Sequence, residues 1–183
     1  MKEELNNTSA KKKILIMGLD QAGKTCIVQS LQGIKNLTAF TSSKPTKVYN
    51  TISFHALGSE YVILDFGGQE AYRDDHLEKF DSYIRDTNKF IYVIDVQDEK
   101  RYKLAVSYLK KIINSLPVDN ENVIEFSVFL HKFDPDLEQL SKNINKQTLK
   151  ELLEKIKGLF PPNLSYSIHK TSIYTVFEKT SLL

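Results

Sequence analysis

The sequence predicts a three-layer α/β domain, with a mostly parallel six-stranded sheet, one antiparallel edge hairpin and helices on both faces. Strand and helix signals alternate along the chain, which is typical of a parallel sheet covered by helices. The apolar runs at residues 90–94 and 123–130 have the composition of central strands that are buried on both faces. The 183 residues are enough for one domain with a sizeable core.

Four further strands are predicted from runs bounded by turn residues: 12–17, 51–57, 61–64 and 166–169. Gly58, Ser59 and Glu60 separate the second and third of these, which we therefore expect to pair as an antiparallel hairpin. Pro161 and Pro162 predict a loop before the last strand.

Helices are predicted where apolar residues recur at helical spacing. The three apolar stripes are Ala105, Tyr108, Leu109, Ile112, Ile113 and Leu116; Leu149, Leu152, Leu153 and Ile156; and Ile173, Val176, Phe177 and Thr180. Pro117 ends the first of these helices, and Gly158 is placed to cap the second. Residues 25–31 also have helical character.

The composition indicates a soluble globular protein rather than a nucleic-acid-binding or membrane-spanning one. Hydrophobic residues make up 41% and charged residues 26% of the chain, and the formal net charge is only +2. No apolar run approaches the roughly 18 residues of a membrane span. The single cysteine, Cys26, cannot form an internal disulfide and fits a reducing compartment, so we expect a cytoplasmic protein.

Neither end of the sequence carries a recognisable membrane anchor. Residues 1–11 form a polar tail without the apolar core of a signal peptide, and residues 12–183 are expected to form the single domain. Lys2 stands where N-myristoylation needs glycine, and the last residues contain no cysteine for prenylation. We therefore expect membrane contact only through another protein.

Residues 18–25, which we call the phosphate loop, have the pattern G-x-x-x-x-G-K-T between a predicted strand and a predicted helix. Glycines let backbone N–H groups point at phosphate oxygens, and the helix N-terminus adds positive dipole. Lys24 would bind the outer phosphates, and the Thr25 hydroxyl is suited to Mg²⁺. The residues expected to bind nucleotide here are Gly18, Leu19, Asp20, Gln21, Ala22, Gly23, Lys24, Thr25 and Cys26.

The charge of Asp20 has two interpretations. A carboxylate in this loop should crowd the terminal phosphate of a bound nucleotide. The loop either tolerates this charge or uses it to tune hydrolysis, and the sequence leaves both open.

A second motif, Asp65-Phe66-Gly67-Gly68-Gln69, comes at the end of the predicted strand 61–64. Asp65 can reach Mg²⁺ through water, since this ion keeps much of its hydration. Gly68 would let the backbone approach the terminal phosphate. Gln69 could then orient an attacking water; the alternative is a tight turn in which Gln69 is only solvated.

A third motif, His131-Lys132-Phe133-Asp134, follows the predicted strand 123–130. The Asp134 carboxylate can accept hydrogen bonds from the N1–H and the exocyclic amine of guanine, whereas adenine has an acceptor at N1. Sites built to bond a specific group reject analogues that lack it by roughly 10⁴–10⁵. Lys132 would lay its methylene stem over the base plane.

Together these motifs resemble those of small GTPases of the Ras superfamily. The phosphate loop and the Asp-x-Gly-Gly-Gln motif look like the Arf type. Pro45-Thr46 matches the Pro-Thr pair of that family, whose threonine completes the Mg²⁺ shell. The resemblance covers the chain from Lys12 onward and implies a phosphate-loop GTPase domain with Mg²⁺ held by Thr25, Thr46 and, through water, Asp65.

The base motif resembles the Rag type instead. His-Lys-x-Asp is the Rag pattern, and Thr171-Ser172-Ile173 stands where Ras-like proteins carry Ser-Ala-Lys. The resemblance implies that His131, Ser172 and Ile173 contribute to the nucleotide site. His131 departs from the asparagine that usually begins this motif.

The function implied by the resemblance is a GTP-dependent switch that binds GTP and GDP and hydrolyses GTP slowly, with Gln69 and Lys24 as its catalytic residues. Effectors, exchange factors and GTPase-activating proteins would bind the switch loops at residues 35–47 and 66–80. No arginine occurs between Lys35 and Asp65 to stabilise the transferred phosphate. The alternatives are a nucleotide-binding scaffold without significant turnover and, less in keeping with Asp134, an ATP-dependent phosphotransferase.

Overall fold

The computed structural model describes residues 10–33, 45–117, 124–135, 137 and 146–173. In this part of the chain the strands are β1 Ala10–Gly18, β2 Tyr49–Ala56, β3 Ser59–Phe66, β4 Lys89–Asp95, β5 Glu125–His131 and β6 Tyr166–Lys170. Its α-helices are α1 Lys24–Leu31, α2 Glu70–Glu78, α3 Phe80–Ile84, α4 Tyr102–Asn114 and α5 Lys146–Lys157. A 3₁₀ turn, Glu99–Arg101, comes directly before α4. None of the helices described here is long and apolar enough to span a bilayer.

The six strands form one sheet in the order β2-β3-β1-β4-β5-β6. Neighbouring strands are parallel throughout, except for β2 and β3 at one edge, which are antiparallel. In the centre, Ile16 of β1 lies opposite Asp65 of β3 on one side and Ile91 of β4 on the other. The predicted fold class is therefore confirmed.

The sheet separates two apolar layers. On one face, Leu15 and Met17 of β1 belong to the larger cluster, together with side chains from α3, α4 and α5. On the other face, Ile14 and Ile16 belong to a smaller cluster that includes Val28 of α1. Because successive side chains of a strand point to opposite faces, one apolar strand supplies both layers.

The start of β1 and the hairpin turn differ from the predicted boundaries. The turn consists of Leu57 and Gly58, with φ of 50° and 73°, so Ser59 and Glu60 belong to β3. Two successive left-handed residues reverse the chain with a twist that matches the strands, and a longer turn is unnecessary. β1 begins at Ala10, inside the predicted polar tail, and pairs with β3 from that residue onward.

Two predicted helix ends also need correction. Gly158 donates its N–H to the Glu154 carbonyl at 3.0 Å, which continues the helical bonding pattern, and it does not adopt the left-handed conformation of a glycine cap. Ile173, expected in a last helix, has no regular secondary structure. The remaining members of that stripe, Val176, Phe177 and Thr180, lie outside the described residues, as do Val123 and most of the segment 35–47.

The topology brings the carboxyl ends of four strands together at one end of the sheet. Strands β1, β3, β4 and β5 run parallel, so their last residues, Gly18, Phe66, Asp95 and His131, lie side by side. Ligands of open α/β sheets bind at this end of the sheet, outside the carboxyl ends of the strands. All three sequence motifs begin within or directly after one of these strands.

Candidate functional site

The phosphate loop connects β1 to α1 and requires glycine at both ends. At Gly18 φ is 148°, and a Cβ would lie 2.3 Å from the Val93 carbonyl oxygen. At Gly23 φ is 88°, and a Cβ would lie 2.5 Å from Cδ2 of His131. A larger residue at either position would push the loop away from the strand ends, so the two glycines hold it against β4 and β5.

The Lys24 side chain is buried inside the loop, with 6% of its surface exposed. Its ammonium donates to the carbonyl oxygens of Gly18 and Leu19, at 3.0 and 2.6 Å. Burial lowers the pKa of Lys24 to about 8, while the negative charges of Asp65 and Asp20 act in the opposite direction. An anion in the loop would form strong, charge-assisted hydrogen bonds with this buried cation.

Three side-chain oxygens converge beside the loop. The Thr25 hydroxyl donates to Oδ2 of Asp65 at 2.6 Å and lies 3.4 Å from Oγ1 of Thr46. Asp65 is fully buried, and its Oδ1 has no hydrogen-bond partner among the described residues. Burial raises the pKa of Asp65, whereas the hydrogen bond from Thr25 and the charge of Lys24 lower it.

This set of oxygens fits a hydrated Mg²⁺. Magnesium takes hard oxygen ligands and keeps several waters, and a buried carboxylate oxygen without a partner is suited to accept from such a water. Within the described ranges, no group of three or more His, Cys, Asp or Glu side chains could hold a metal ion. A Mg²⁺ ion at the oxygens of Thr25, Thr46 and Asp65 would complete its shell with water and with oxygens of a bound anion, because this ion keeps several waters.

The segment after β3 lies directly against the phosphate loop. A Cβ on Gly68 would lie 2.2 Å from the backbone nitrogen of Asp20, and one on Gly67 would lie 2.3 Å from the Thr46 carbonyl oxygen. The Gly67 N–H donates to the Val48 carbonyl at 2.8 Å. Only glycine fits at either position. Because neither residue has a side chain, the backbone of this segment packs against both the phosphate loop and the chain around Thr46.

Gln69 directly precedes helix α2, with φ −64° and ψ 147°. Its carbonyl accepts the Tyr72 N–H at 3.1 Å, which fixes its backbone at the start of the helix. Gln69 is half-buried and lines the open space at the strand ends.

That space is a cavity of about 420 Å³, within the usual range of ligand pockets. The residues that line it are Asp20, Gln21, Gly23, Lys24, Thr25, Cys26, Pro45, Thr46, Phe66, Gly67, Gly68, Gln69 and Lys132. The predicted loop residues Gly18, Leu19 and Ala22 are buried and do not line it. Because Lys132 borders the same cavity as Lys24, the cavity connects the phosphate loop with the base motif.

Asp134 is held in the base motif by two neighbours. Its Oδ2 accepts from Nε2 of Gln97 at 2.9 Å, and its Oδ1 accepts from the Ser172 hydroxyl. Gln97 also donates to the Lys132 carbonyl at 3.0 Å, and the Lys132 ammonium pairs with Asp95 at 2.6 Å. A carboxylate has about four acceptor positions, so Asp134 can accept from a base without losing these contacts.

His131 links the base motif to the phosphate loop. The ring is 1% exposed, and its Nδ1 lies 3.0 Å from Oγ1 of Thr171. The same ring packs so closely on Gly23 that any side chain there would collide with it. The histidine therefore connects the two parts of the site, although the usual residue at this position is asparagine. Ile173, two residues after Thr171, is half-buried.

The burial of His131 predicts that stability falls in mild acid. Burial, followed by the charge of Lys132, lowers its pKa from 6.5 to about 4, against the charges of Asp95 and Asp134. Between pH 6.5 and 4 the unfolded chain binds a proton at His131 that the folded chain does not bind. The contribution of His131 to the free energy of unfolding is therefore complete above pH 6.5 and is lost between pH 6.5 and 4. It amounts to about 3 kcal/mol. We expect His131→Asn to lose less free energy of unfolding than the parent over this range, as measured by urea denaturation at several pH values.

The matched control is His55→Asn, because His55 is exposed on β2. This variant should keep the pH dependence of the parent. Equal losses of unfolding free energy for His131→Asn and the parent between pH 7 and 4.5 would contradict the prediction.

Sequence reasoning missed three residues of this site, Asp95, Gln97 and Arg101, and it did not predict the contact of Thr171 with His131. Asp95 ends strand β4 and Gln97 comes two residues later, and the carboxyl end of β4 lies between those of β1 and β5. That position was a usable signal, because any polar residue directly after a central parallel strand faces the ligand edge. The contact of Arg101 with Asp20, at 3.0 Å, spans 81 residues and has no local signal.

Comparison with known sequences identifies the family. Residues 1–178 match the model of the ADP-ribosylation factor family. The chain is 37% identical to ADP-ribosylation factor-like protein 3 of Chlamydomonas reinhardtii, over 71% of this chain and 67% of that protein. It is 30% identical to human Ras-related GTP-binding protein C, over 93% of this chain but only 43% of that longer protein.

Solved structures agree at the level of the fold. The Arl6 small GTPase from Trypanosoma brucei, with bound nucleotide analogue GppNp, aligns over 89% of this chain and 87% of that chain, with a TM-score of 0.61 and 19% identity. The mammalian SRP receptor aligns over 88% of this chain and 91% of that chain, with a TM-score of 0.65 and 16% identity. The chain therefore belongs to the ADP-ribosylation factor family of small GTPases, and the predicted resemblance to both Arf-type and Rag-type proteins is confirmed.

Proposed function

We propose that this protein is a GTP-binding switch that cycles between Mg²⁺-bound GTP and GDP and hydrolyses GTP slowly without a partner. The single observation that carries this proposal is the cavity of about 420 Å³, which is lined by the phosphate-loop lysine, the Thr25 and Thr46 oxygens, Gln69 and Lys132. Membership in a family of small GTPases supports the same conclusion.

The phosphates would bind at the phosphate loop. The buried Lys24 ammonium would exchange the carbonyl oxygens of Gly18 and Leu19 for phosphate oxygens, which are stronger acceptors. Thr25, Thr46 and Asp65 would hold Mg²⁺, which neutralises charge on the phosphates when it is bound. The N-terminus of α1 adds its dipole at the same point.

Guanine would be selected by Asp134. Its carboxylate is oriented by Gln97 and Ser172 and retains acceptor positions for the two N–H groups of guanine. Lys132 would cover the base with its methylene stem while its ammonium stays paired with Asp95. Adenine would leave the carboxylate unpaired, so ATP should bind far more weakly.

Hydrolysis would depend on Gln69, beside Gly68 at the start of α2. Its amide would orient the attacking water, while Lys24 stabilises charge on the transferred phosphoryl group. Arginine is not among the described residues that line the cavity. The reaction should therefore be slow until a GTPase-activating partner supplies further positive charge.

Signalling would follow from the contacts between the two switch segments. Gly67 is bonded to Val48, so a change at Gly68 when the terminal phosphate leaves would reach the chain around Thr46. Effectors and exchange factors would distinguish the two states on this surface. Most of the first segment, residues 35–44, lies outside the described residues.

The first experiment is a nucleotide titration of the parent and of Lys24→Ala. The parent should bind GDP and a non-hydrolysable GTP analogue, and ATP much more weakly. Lys24→Ala should lose at least about 100-fold in affinity for both guanine nucleotides, or roughly 3 kcal/mol, because a buried charge-assisted contact is removed.

The control is Lys11→Ala, which removes the same charge from an exposed position near the start of β1. It should bind nucleotides like the parent. Equal affinity of the parent for ATP and GTP, or unchanged GTP affinity in Lys24→Ala, would overturn the proposal.

A further inference from the structure

Arg101 binds the phosphate loop from the segment that follows β4. It lies in the 3₁₀ turn Glu99–Arg101, six residues after the end of β4. Its Nη1 donates to Oδ1 of Asp20 at 3.0 Å, and its Nη2 donates to the Asp20 carbonyl at 3.2 Å. The Nε of the same guanidinium donates to Asp98. One planar group thus binds both the side chain and the backbone of a loop residue.

Asp20 itself lies where the terminal phosphate is expected. It lines the cavity, and its backbone nitrogen is close enough to Gly68 to exclude any side chain there. Gln69 follows immediately. An unpaired carboxylate at this position would repel the terminal phosphate of a nucleoside triphosphate. A diphosphate lacks that phosphate, so the carboxylate would repel it much less.

We propose that Arg101 is a positioning residue that neutralises and restrains Asp20, and that it thereby sets the preference of the site for GTP over GDP. This inference rests on the proposed guanine-nucleotide binding. It assigns a role to Asp20, which the sequence alone left open, and to an arginine that lies outside the three motifs.

The arrangement requires arginine rather than a generic positive charge. A guanidinium presents its N–H groups as a rigid fork, so it can bind Asp20 twice and Asp98 once without moving. Both ion pairs are partly exposed, with 29% of the Arg101 side chain accessible, so salt in the solvent screens the charges and weakens their attraction. The second hydrogen bond, to the Asp20 backbone carbonyl, compensates for this, because it restrains the residue whose carboxylate is paired.

Asp20 and Lys24 line the same cavity, where the terminal phosphate is expected. Removing Arg101 would therefore leave an unpaired Asp20 carboxylate that competes with the terminal phosphate for Lys24.

The test measures the ratio of the Kd values for a non-hydrolysable GTP analogue and for GDP. Arg101→Ala should raise this ratio by about tenfold, with the larger loss on the triphosphate. Asp20→Asn in the Arg101→Ala background should restore the ratio to within about threefold of the parent, since the unpaired charge is then gone. Arg101→Lys should fall between the parent and Arg101→Ala.

The matched control is Arg85→Ala, which removes an exposed arginine before the first residue of β4, at the other end of the sheet. It should leave the ratio unchanged. The inference is wrong if Arg101→Ala weakens both nucleotides equally or neither, or if Asp20→Asn does not restore the ratio. A purely structural role of Arg101 predicts equal weakening without rescue. If the parent binds no guanine nucleotide, the proposed function fails instead.

Discussion

Asp134→Asn should lower the affinity for GTP by roughly 10⁴-fold and should improve binding of xanthosine triphosphate. In the proposed site the carboxylate of Asp134 would accept from the N1–H and the amine of guanine, whereas an asparagine amide presents one acceptor and one donor. Xanthine carries a carbonyl where guanine carries the amine, so it matches the amide. The contacts from Gln97 and Ser172 hold the side chain in one orientation, which makes the match specific.

The measurement is a competitive titration of both triphosphates against the parent and the variant. Asp86→Asn is the matched control, because Asp86 is exposed in the loop before β4 and its φ of 55° suits asparagine. That control should keep the guanine preference of the parent. A variant at position 134 that still prefers GTP over xanthosine triphosphate would remove Asp134 from the base site.

The parts that the sequence predicted best are those in which function imposes a local pattern. The phosphate loop needs Gly18 and Gly23 for steric reasons that the structure makes explicit, since any Cβ would collide with β4 or with His131. The central strands β4 and β5 were predictable because their sequences are largely apolar, as expected when both faces of a parallel sheet are buried. The motifs therefore identified the family before any comparison.

The parts that the sequence did not predict depend on contacts between distant segments. Arg101 reaches Asp20 across 81 positions, and His131 reaches Thr171 across 40. Nothing in the local sequence requires either contact. His131 departs from the usual asparagine, and the packing of its ring on Gly23 links the base motif to the phosphate loop. The pairing of β1 with β4, of β4 with β5 and of β5 with β6 brings these groups together.

Gln69→Leu should abolish most GTP hydrolysis while leaving GTP binding intact. Leucine keeps the bulk of glutamine but has no amide to orient the attacking water. The backbone of Gln69 is fixed by its bond with Tyr72, and Gly67 and Gly68 before it remain, so the phosphate contacts should survive the change. One small GTPase hydrolyses GTP at about 10⁻⁴ s⁻¹ unaided, and roughly 10⁵-fold faster when a partner supplies an arginine.

The parent should fall near the unaided rate in a single-turnover assay of phosphate release, and Gln69→Leu should be at least about tenfold slower. Gln147→Leu, which makes the same substitution at an exposed position on α5, should hydrolyse GTP like the parent. Arg101 is not expected to accelerate the reaction, because its guanidinium is engaged by Asp20 and Asp98. Turnover of order 1 s⁻¹ without a partner, or a Gln69→Leu variant as fast as the parent, would show that another group in the cavity activates the water.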